Sequence, residues 1–232
     1  MSYADVLFGG IKTYEDWGLK LENVQLSFPD AKTDLVDIQG ANGVIDLTEV
    51  NGPVCYGNRT LTLTFSLLGD YTEWYLLASK IAKELHGKVK ECILPDEPNF
   101  YYEGRFKLQT SKDTDVVTDV VITGDVEPYK KELLSSVDDW LWDPFSFENG
   151  VIREYAGIAV NGSAEITVLG SEMPVVPKII PSDDMDVEFD GKLYHLLAGE
   201  NTEYDIVIMD EDVTLKFTGN GTVSIEYRGG IL

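Results

Sequence analysis

Leu61, Leu63, Phe65 and Leu67 alternate with Thr60, Thr62, Thr64 and Ser66. A period of two puts the apolar set on one face of a half-buried strand. Val213, Leu215 and Phe217 alternate in the same way, Gly219-Asn220-Gly221 follows, and Val223, Ile225 and Tyr227 alternate again. Asn and Gly tolerate the positive φ of a tight turn, so this stretch predicts a hairpin. Noisier strands are expected at Phe100–Leu108, Val116–Ile122, Ala164–Leu169 and Thr202–Met209. One helix interrupts them, from about Tyr71 to His86. Trp74, Leu77, Ala78, Ile81, Ala82 and Leu85 share one of its faces, Asp70 and Glu73 have capping-box spacing, and Gly87 stands where a left-handed stop is expected. The polar side of that helix offers no chemistry.

The pattern breaks between Pro128 and about Asp143, which predicts two domains, 1–130 and 131–232. The second lacks a helical pattern and reads as an all-β sandwich with regularly spaced turns. The aromatic stretch from Trp140 to Phe147 is expected to bridge the two. Charge separates them as well. Residues 1–130 carry 21 acidic and 12 basic groups, net −9, and residues 131–232 carry 20 and 6, net −14. At 44% hydrophobic the 232-residue chain can bury a core in each domain. A formal charge of −23 opposes a grip on nucleic acid, which needs a basic patch to displace counterions, and equally opposes docking on anionic lipid. No apolar run has the length to span a bilayer, and the N-terminus has no signal-peptide pattern, so the chain is expected to fold in a reducing cytoplasm. Cys55 and Cys92 form no CxxC pair and are then expected to be buried structural thiols, with a disulfide between them as the other reading.

Two histidines leave little for metal or triad chemistry. His86 ends the helix and His195 sits within an expected strand, and no nucleophile elbow, zinc motif or phosphate loop occurs. Asp186-Val187-Glu188-Phe189-Asp190-Gly191 resembles the start of a calcium loop, but the twelfth position is Leu197 and flanking helices are missing. It reads instead as a strand with an acidic solvent face running into a Gly turn. Met209-Asp210-Glu211-Asp212 reads as a solvated turn. The triplets at Asn58, Asn161 and Asn220 read as turns beside strands rather than glycosylation sites. Gly9-Gly10 and Gly219 to Gly221 open no helix, so neither is a dinucleotide fingerprint. No catalytic residue, metal or cofactor is expected, and the chain is not expected to be an enzyme.

Residues 36–59 need another explanation. Val36 to Leu47 reads as strand, Asn42-Gly43 turn, strand. Gly40, Gly43, Gly52 and Gly57 then punctuate a stretch with little core-grade periodicity. Such a segment cannot bury itself on its own domain. A hairpin arm reaching onto a neighbouring subunit resolves this, with a mobile surface hairpin as the other reading.

The ordered set Phe8-Gly9-Gly10, Asp16-Trp17-Gly18-Leu19, Gly40 to Glu49 (GANGVIDLTE), Tyr56-Gly57-Asn58-Arg59, Leu85-His86-Gly87-Lys88, Tyr101-Tyr102-Glu103-Gly104-Arg105, Pro128-Tyr129-Lys130, Met173-Pro174 and Tyr227-Arg228-Gly229-Gly230 resembles the distal tail proteins of long non-contractile-tailed phages and prophages of Gram-positive bacteria. The resemblance spans nearly the whole chain. One departure is Gln39, where many members carry Pro. The resemblance implies a mainly β protein: an N-terminal β-sandwich or barrel-like domain with one helix and a protruding belt hairpin over about 36–56, then a galectin-like β-sandwich. It implies a homo-hexameric ring at the tail tip of the virion that joins the tail tube to baseplate or tail-fibre proteins. Ile38, Gly40, Asn42, Gly43, Val44, Asp46, Tyr56, Asn58 and Arg59 would form the subunit contact. DNA would pass through the ring without specific binding, past acidic side chains that repel phosphate. The competing readings are a tail-tube subunit, a carbohydrate-binding module using Trp140, Trp142 or Tyr194, and, least supported, a glycoside hydrolase built on paired carboxylates.

Overall fold

The computed structural model describes residues 4–50, 52–67, 74–113, 116–139 and 152–232. The chain divides into two compact units, Met1–Asp96 with Tyr102–Pro128, and Glu97–Tyr101 with Tyr129–Leu232. Both are mainly β, as the alternation requires.

In the first unit, β1 (Leu7–Phe8) and β2 (Ile11–Lys12) pair around Gly9-Gly10, whose φ values of 56° and 89° make the two-residue turn possible. The short helix α1 (Thr13–Trp17) follows, stopped by Gly18 at φ 66°. It is a second helix that the hydrophobic pattern does not reveal, because five residues are too few to show an amphipathic period. The Phe-Gly-Gly and Asp-Trp-Gly-Leu motifs serve one purpose. They bring Trp17 against Phe8, with ring centroids 6.4 Å apart, and Phe8 in turn meets Phe106 edge-on at 4.9 Å.

Next come β3 (Leu19–Leu26), β4 (Leu35–Asp37), β5 (Val44–Asp46), β6 (Arg59–Leu67), α2 (Trp74–Leu85), β7 (Val89–Ile93), β8 (Phe100–Asp113) and β9 (Val116–Val126). The main sheet runs β2-β1-β7-β8-β9-β6-β3, with antiparallel neighbours throughout. β6 shows the predicted alternation, with Leu61, Leu63, Phe65 and Leu67 buried. The apolar face of α2 covers this core through Trp74, Ile81 and Leu85, with Leu77 and Ala78 partly buried beside them. Burying each of the three large side chains is worth roughly 1.5–3 kcal/mol. The expected helix start at Tyr71 and the Asp70–Glu73 capping box lie outside the described residues. Gly104 lets β8 lie close on β9, since a Cβ there would fall 2.2 Å from the Asp125 carbonyl oxygen.

The second unit contains β10 (Lys130–Glu132), β11 (Ile158–Val168), β12 (Lys178–Pro181), β13 (Met185–Phe189), β14 (Lys192–Leu196), β15 (Asn201–Thr202), β16 (Val213–Glu226) and β17 (Gly230–Ile231). Its larger sheet runs β14-β13-β16-β12-β15, with β11 along β16. β10 pairs with β17 and with Phe100 and Tyr101, the first residues of β8, which belong to this unit.

The expected hairpin at Gly219-Asn220-Gly221 is not a turn. β16 runs straight through these residues and pairs with β11 in register from Ile158↔Val223 to Val168↔Val213. Along its other edge it pairs with β13 through Lys216 to Thr218 and with β12 through Val223 to Glu226. The glycines mark the change of partner. Their φ values of 155° and 139° suit glycine, and a Cβ would fall 2.6 Å from the Met185 Cβ at position 219 and 2.5 Å from the Ser182 Oγ at position 221. Likewise Asn161 lies inside β11 and faces Asn220 rather than marking a turn. The expected strand at Thr202–Met209 reduces to β15 and a single Val175–Ile208 bridge.

Arg153 anchors the C-terminal segment of this unit. Its guanidinium holds the Glu132 carboxylate, donates to the Gly170 carbonyl at 3.0 Å and, through Nε, to the Tyr227 hydroxyl at 3.0 Å. The Tyr227 hydroxyl in turn donates to the Leu169 carbonyl at 2.7 Å. Burial is the largest influence and disfavours the Arg153 charge, but Glu132 and Tyr227 together outweigh it and the pKa is raised. Gly229 lets the Arg153–Glu132 pair pass close to the backbone, since a Cβ there would sit 2.8 Å from the Arg153 Nη2 and the Glu132 Oε1 and push the two side-chain ends aside. The expected aromatic bridge Trp140–Phe147 lies outside the described residues.

Candidate functional site

Between the edge strand β3 and its neighbour β6 the chain leaves the sheet as a ribbon. The Ser27 amide donates to the Thr60 carbonyl at 3.0 Å, Gly57 to Asp30 at 2.8 Å and Lys32 to Cys55 at 2.8 Å, while Ala31 and Tyr56 form an isolated bridge. Further out, Leu47 donates to the Asp34 carbonyl at 2.8 Å and Asp34 to the Thr48 hydroxyl at 3.1 Å. The Asp46 carboxylate accepts from the Thr48 amide at 2.9 Å and from its hydroxyl. These bonds to the charged form hold the Asp46 pKa below the ordinary carboxylate value. At the end, β4 and β5 pair as Leu35↔Asp46, Val36↔Ile45 and Asp37↔Val44. A six-residue loop closes them, with the Ala41 amide donating to Ile38 at 3.0 Å and Gly40 and Gly43 at φ 87° and 80°. The strands therefore end before Gln39, and the turn is wider than an Asn-Gly pair.

Every residue from Ala31 to Asp46 is exposed, including Leu35, Val36, Ile38, Val44 and Ile45. A two-stranded ribbon with both faces in water is at best marginally stable, and so contiguous an apolar stretch marks an interaction surface. Residues 33–58 carry Asp34, Asp37, Asp46 and Glu49 and no Lys or Arg.

Of the residues expected at a subunit contact, Ile38, Gly40, Asn42, Gly43, Val44 and Asp46 lie together at the exposed end. Tyr56 and Asn58 lie at its root, half-buried and exposed respectively. Arg59 is different. It opens β6, is only 4% exposed and lies over the Tyr102 ring at 5.1 Å, so its side chain belongs to the core beneath the root and not to the outer surface. Cys55 also departs from expectation, being exposed with its Sγ 3.9 Å from the Pro53 carbonyl, while Cys92 is buried and burial pushes its thiol well up.

The other candidate groups have local duties. His86 accepts the Leu108 amide on Nδ1 at 3.1 Å. His195 faces Asp186 across β13 and β14, Nδ1 to Oδ1 2.8 Å. Asp186, Glu188 and Asp190 run along β13 into a two-residue turn at Asp190-Gly191, φ 49° and 73°, as the alternation predicts. Tyr194 is half-buried with its hydroxyl 3.3 Å from Asp205, and Trp140 and Trp142 lie outside the described residues. Among the described residues no cluster of His, Cys, Asp and Glu could hold a metal ion, and no helix is long and apolar enough to cross a membrane.

One surface of the first unit is not visible in the hydrophobic periodicity. Next to the buried stripe of α2, Tyr75 and Leu76 are 69% and 71% exposed. Their signal in the sequence is two apolar residues directly following Trp74, off the core-facing period.

Compared with known proteins, the chain matches no family model and no curated protein. Among solved structures it shares the fold of the Dit protein of phage SPP1, whose crystal structure is described as a paradigm of the hub of the adsorption apparatus in phages infecting Gram-positive bacteria. The likeness covers 100% of both chains with a TM-score of 0.66 at 13% sequence identity.

Proposed function

We propose that the protein is a structural distal tail protein of a long-tailed phage or prophage of Gram-positive bacteria. Six copies form a ring at the tail tip of the virion, joining the tail tube to the baseplate or tail fibre and acting as an assembly hub without catalysis. The ring is assembled from copies made in the host cytoplasm, and DNA passes through it without specific binding. The second unit is the galectin-like domain of that family, facing partner proteins.

The observation that carries this reading is the arm. Its exposed apolar hairpin needs a surface that its own unit does not provide, and it occurs in a chain whose whole length follows the SPP1 Dit fold. A head-to-tail contact through such an arm uses two different surfaces per copy, the arrangement that closes into a ring. Deleting residues 40–53 tests it. The truncated chain is expected to keep its far-ultraviolet dichroism while negative-stain images lose their rings, and rings formed without the arm would refute its role.

A further inference from the structure

We propose that the exposed stripe of α2 is the surface that receives the arm hairpin of the next copy, an inference that rests on the ring reading above. The stripe is a shallow apolar trough of about 360 Å³, lined by Tyr75, Ala78, Ser79, Ala82, His86 and Leu108. Tyr75, Ser79 and Ala82 on α2 and His86 just past its end follow the i, i+4, i+7, i+11 spacing that aligns them on one face, and Leu76, Lys80 and Lys83 run alongside. Small side chains at positions 78, 79 and 82 leave the floor of the trough low, and Tyr75 raises one end.

The hairpin has the complementary pattern. Residues directly opposite each other on paired strands share a face. One face of the arm therefore presents Val36 and Ile45, and the other presents Leu35 and Val44 with Asp37 and Asp46 at opposite corners. A ribbon two strands wide fits along a helix, with apolar side chains in the trough and carboxylates beside a lysine row.

Charge makes the choice of occupant specific. The chain is strongly acidic, and an arm with four carboxylates and no cation is repelled by most of its surface. On α2 the exposed charges are Lys80 and Lys83, against a half-buried Glu84. An acidic ribbon is thus steered to this stripe and away from the rest. Within one copy both surfaces are open to solvent, so their pairing joins two copies, and it repeats around a ring because arm and stripe are different surfaces of the same unit.

Two experiments on the full chain test this. In a Cys55→Ser background, Val44→Cys with Ser79→Cys is treated with a short bismaleimide, and light scattering on the same sample reports assembly. A covalent ladder of oligomers from the double variant, and none from either single one, is the expected result. Separately, Asp37→Lys and Lys83→Glu are each expected to weaken assembly about fivefold, and their combination to restore it. Rings that neither cross-link nor respond to the charge exchange would overturn the α2 assignment and leave the ring reading standing. A chain that forms no rings at all would overturn both.

Discussion

Val36 stands directly opposite Ile45 across the arm hairpin, and the two remain 39% and 46% exposed. A cross-strand aliphatic pair ordinarily stabilises a sheet by burying area against neighbours, and here the pair is open to water. Its apolar character is therefore explained by a partner. Replacing both with Ser is expected to leave the melting temperature of the unassembled chain nearly unchanged, because surface substitutions usually cost under about 0.5 kcal/mol. The same change is expected to weaken assembly at least tenfold, measured by concentration-dependent light scattering. A lower melting temperature with unchanged assembly would mean that the pair supports its own unit.

Gln39 occupies the second position of the turn from Ile38 to Ala41, with Gly40 at φ 87° in the third. That is the geometry of a type II turn, in which the second position favours Pro. Gln39→Pro is expected to stabilise the hairpin by about 0.4–1 kcal/mol through the unfolded chain. Hydrogen exchange at Ala41 and Val44 reads it, slower exchange being the expected outcome.

At Gly219 the backbone has φ 155° and a Cβ would fall 2.6 Å from the Met185 Cβ. Gly219→Ala is expected to cost about 2–3 kcal/mol in denaturant unfolding, from strain and overlap together. Gly199→Ala is the control. Its φ is also positive, 104°, but nothing lies within 4 Å of its Cβ, so only the strain remains and the cost is expected to be smaller.

Burial raises the Tyr227 pKa above its ordinary value, with the nearby Arg153 charge acting against the shift. Because the folded value exceeds the unfolded one, this stabilisation is complete below about pH 10 and is lost as the pH rises from there through the folded value. Alkaline unfolding is expected to begin in that window. Tyr227→Phe is expected to remove one of the chain's 12 tyrosines from the alkaline titration, the one that ionises late, while lowering stability at neutral pH by about 1–3 kcal/mol because Leu169 and Arg153 lose a partner. Difference absorbance of tyrosinate against pH checks it.

Cys55 lies exposed at the arm and Cys92 is fully buried with its thiol pKa pushed up. One maleimide is expected to attach per native chain, at Cys55, and two after denaturation. If the arm contacts a neighbour near its root, assembly slows the first labelling step.

Much of this fold is legible in local pattern. The β6 alternation, the core face of α2 and the acidic strand ending at Asp190-Gly191 follow from periods of two and 3.6, because each element packs one face on one core. The departures have a common cause in tertiary context. Gly219 and Gly221 look like turn residues because glycine serves both turns and close strand crossings, and only the positions of Met185 and Ser182 separate the two. Arg59 looks like a surface cation at the end of a polar motif, yet the ring of Tyr102, 43 positions along the chain, draws it into the core. For the arm, the sequence showed a segment unable to bury itself, and the uninterrupted exposure from Ala31 to Asp46 gave that reading its structural form. The α2 stripe is not legible in the pattern, because Tyr75 and Leu76 fall off the core-facing period and only their exposure of 69% and 71% sets them apart.

Light scattering of the intact chain over a wide concentration range tests the central claim most directly. A particle of six times the 25.8 kDa chain mass, seen as rings by negative stain, is the expected result. A monomer at every concentration, with the arm hairpin folded, would contradict it.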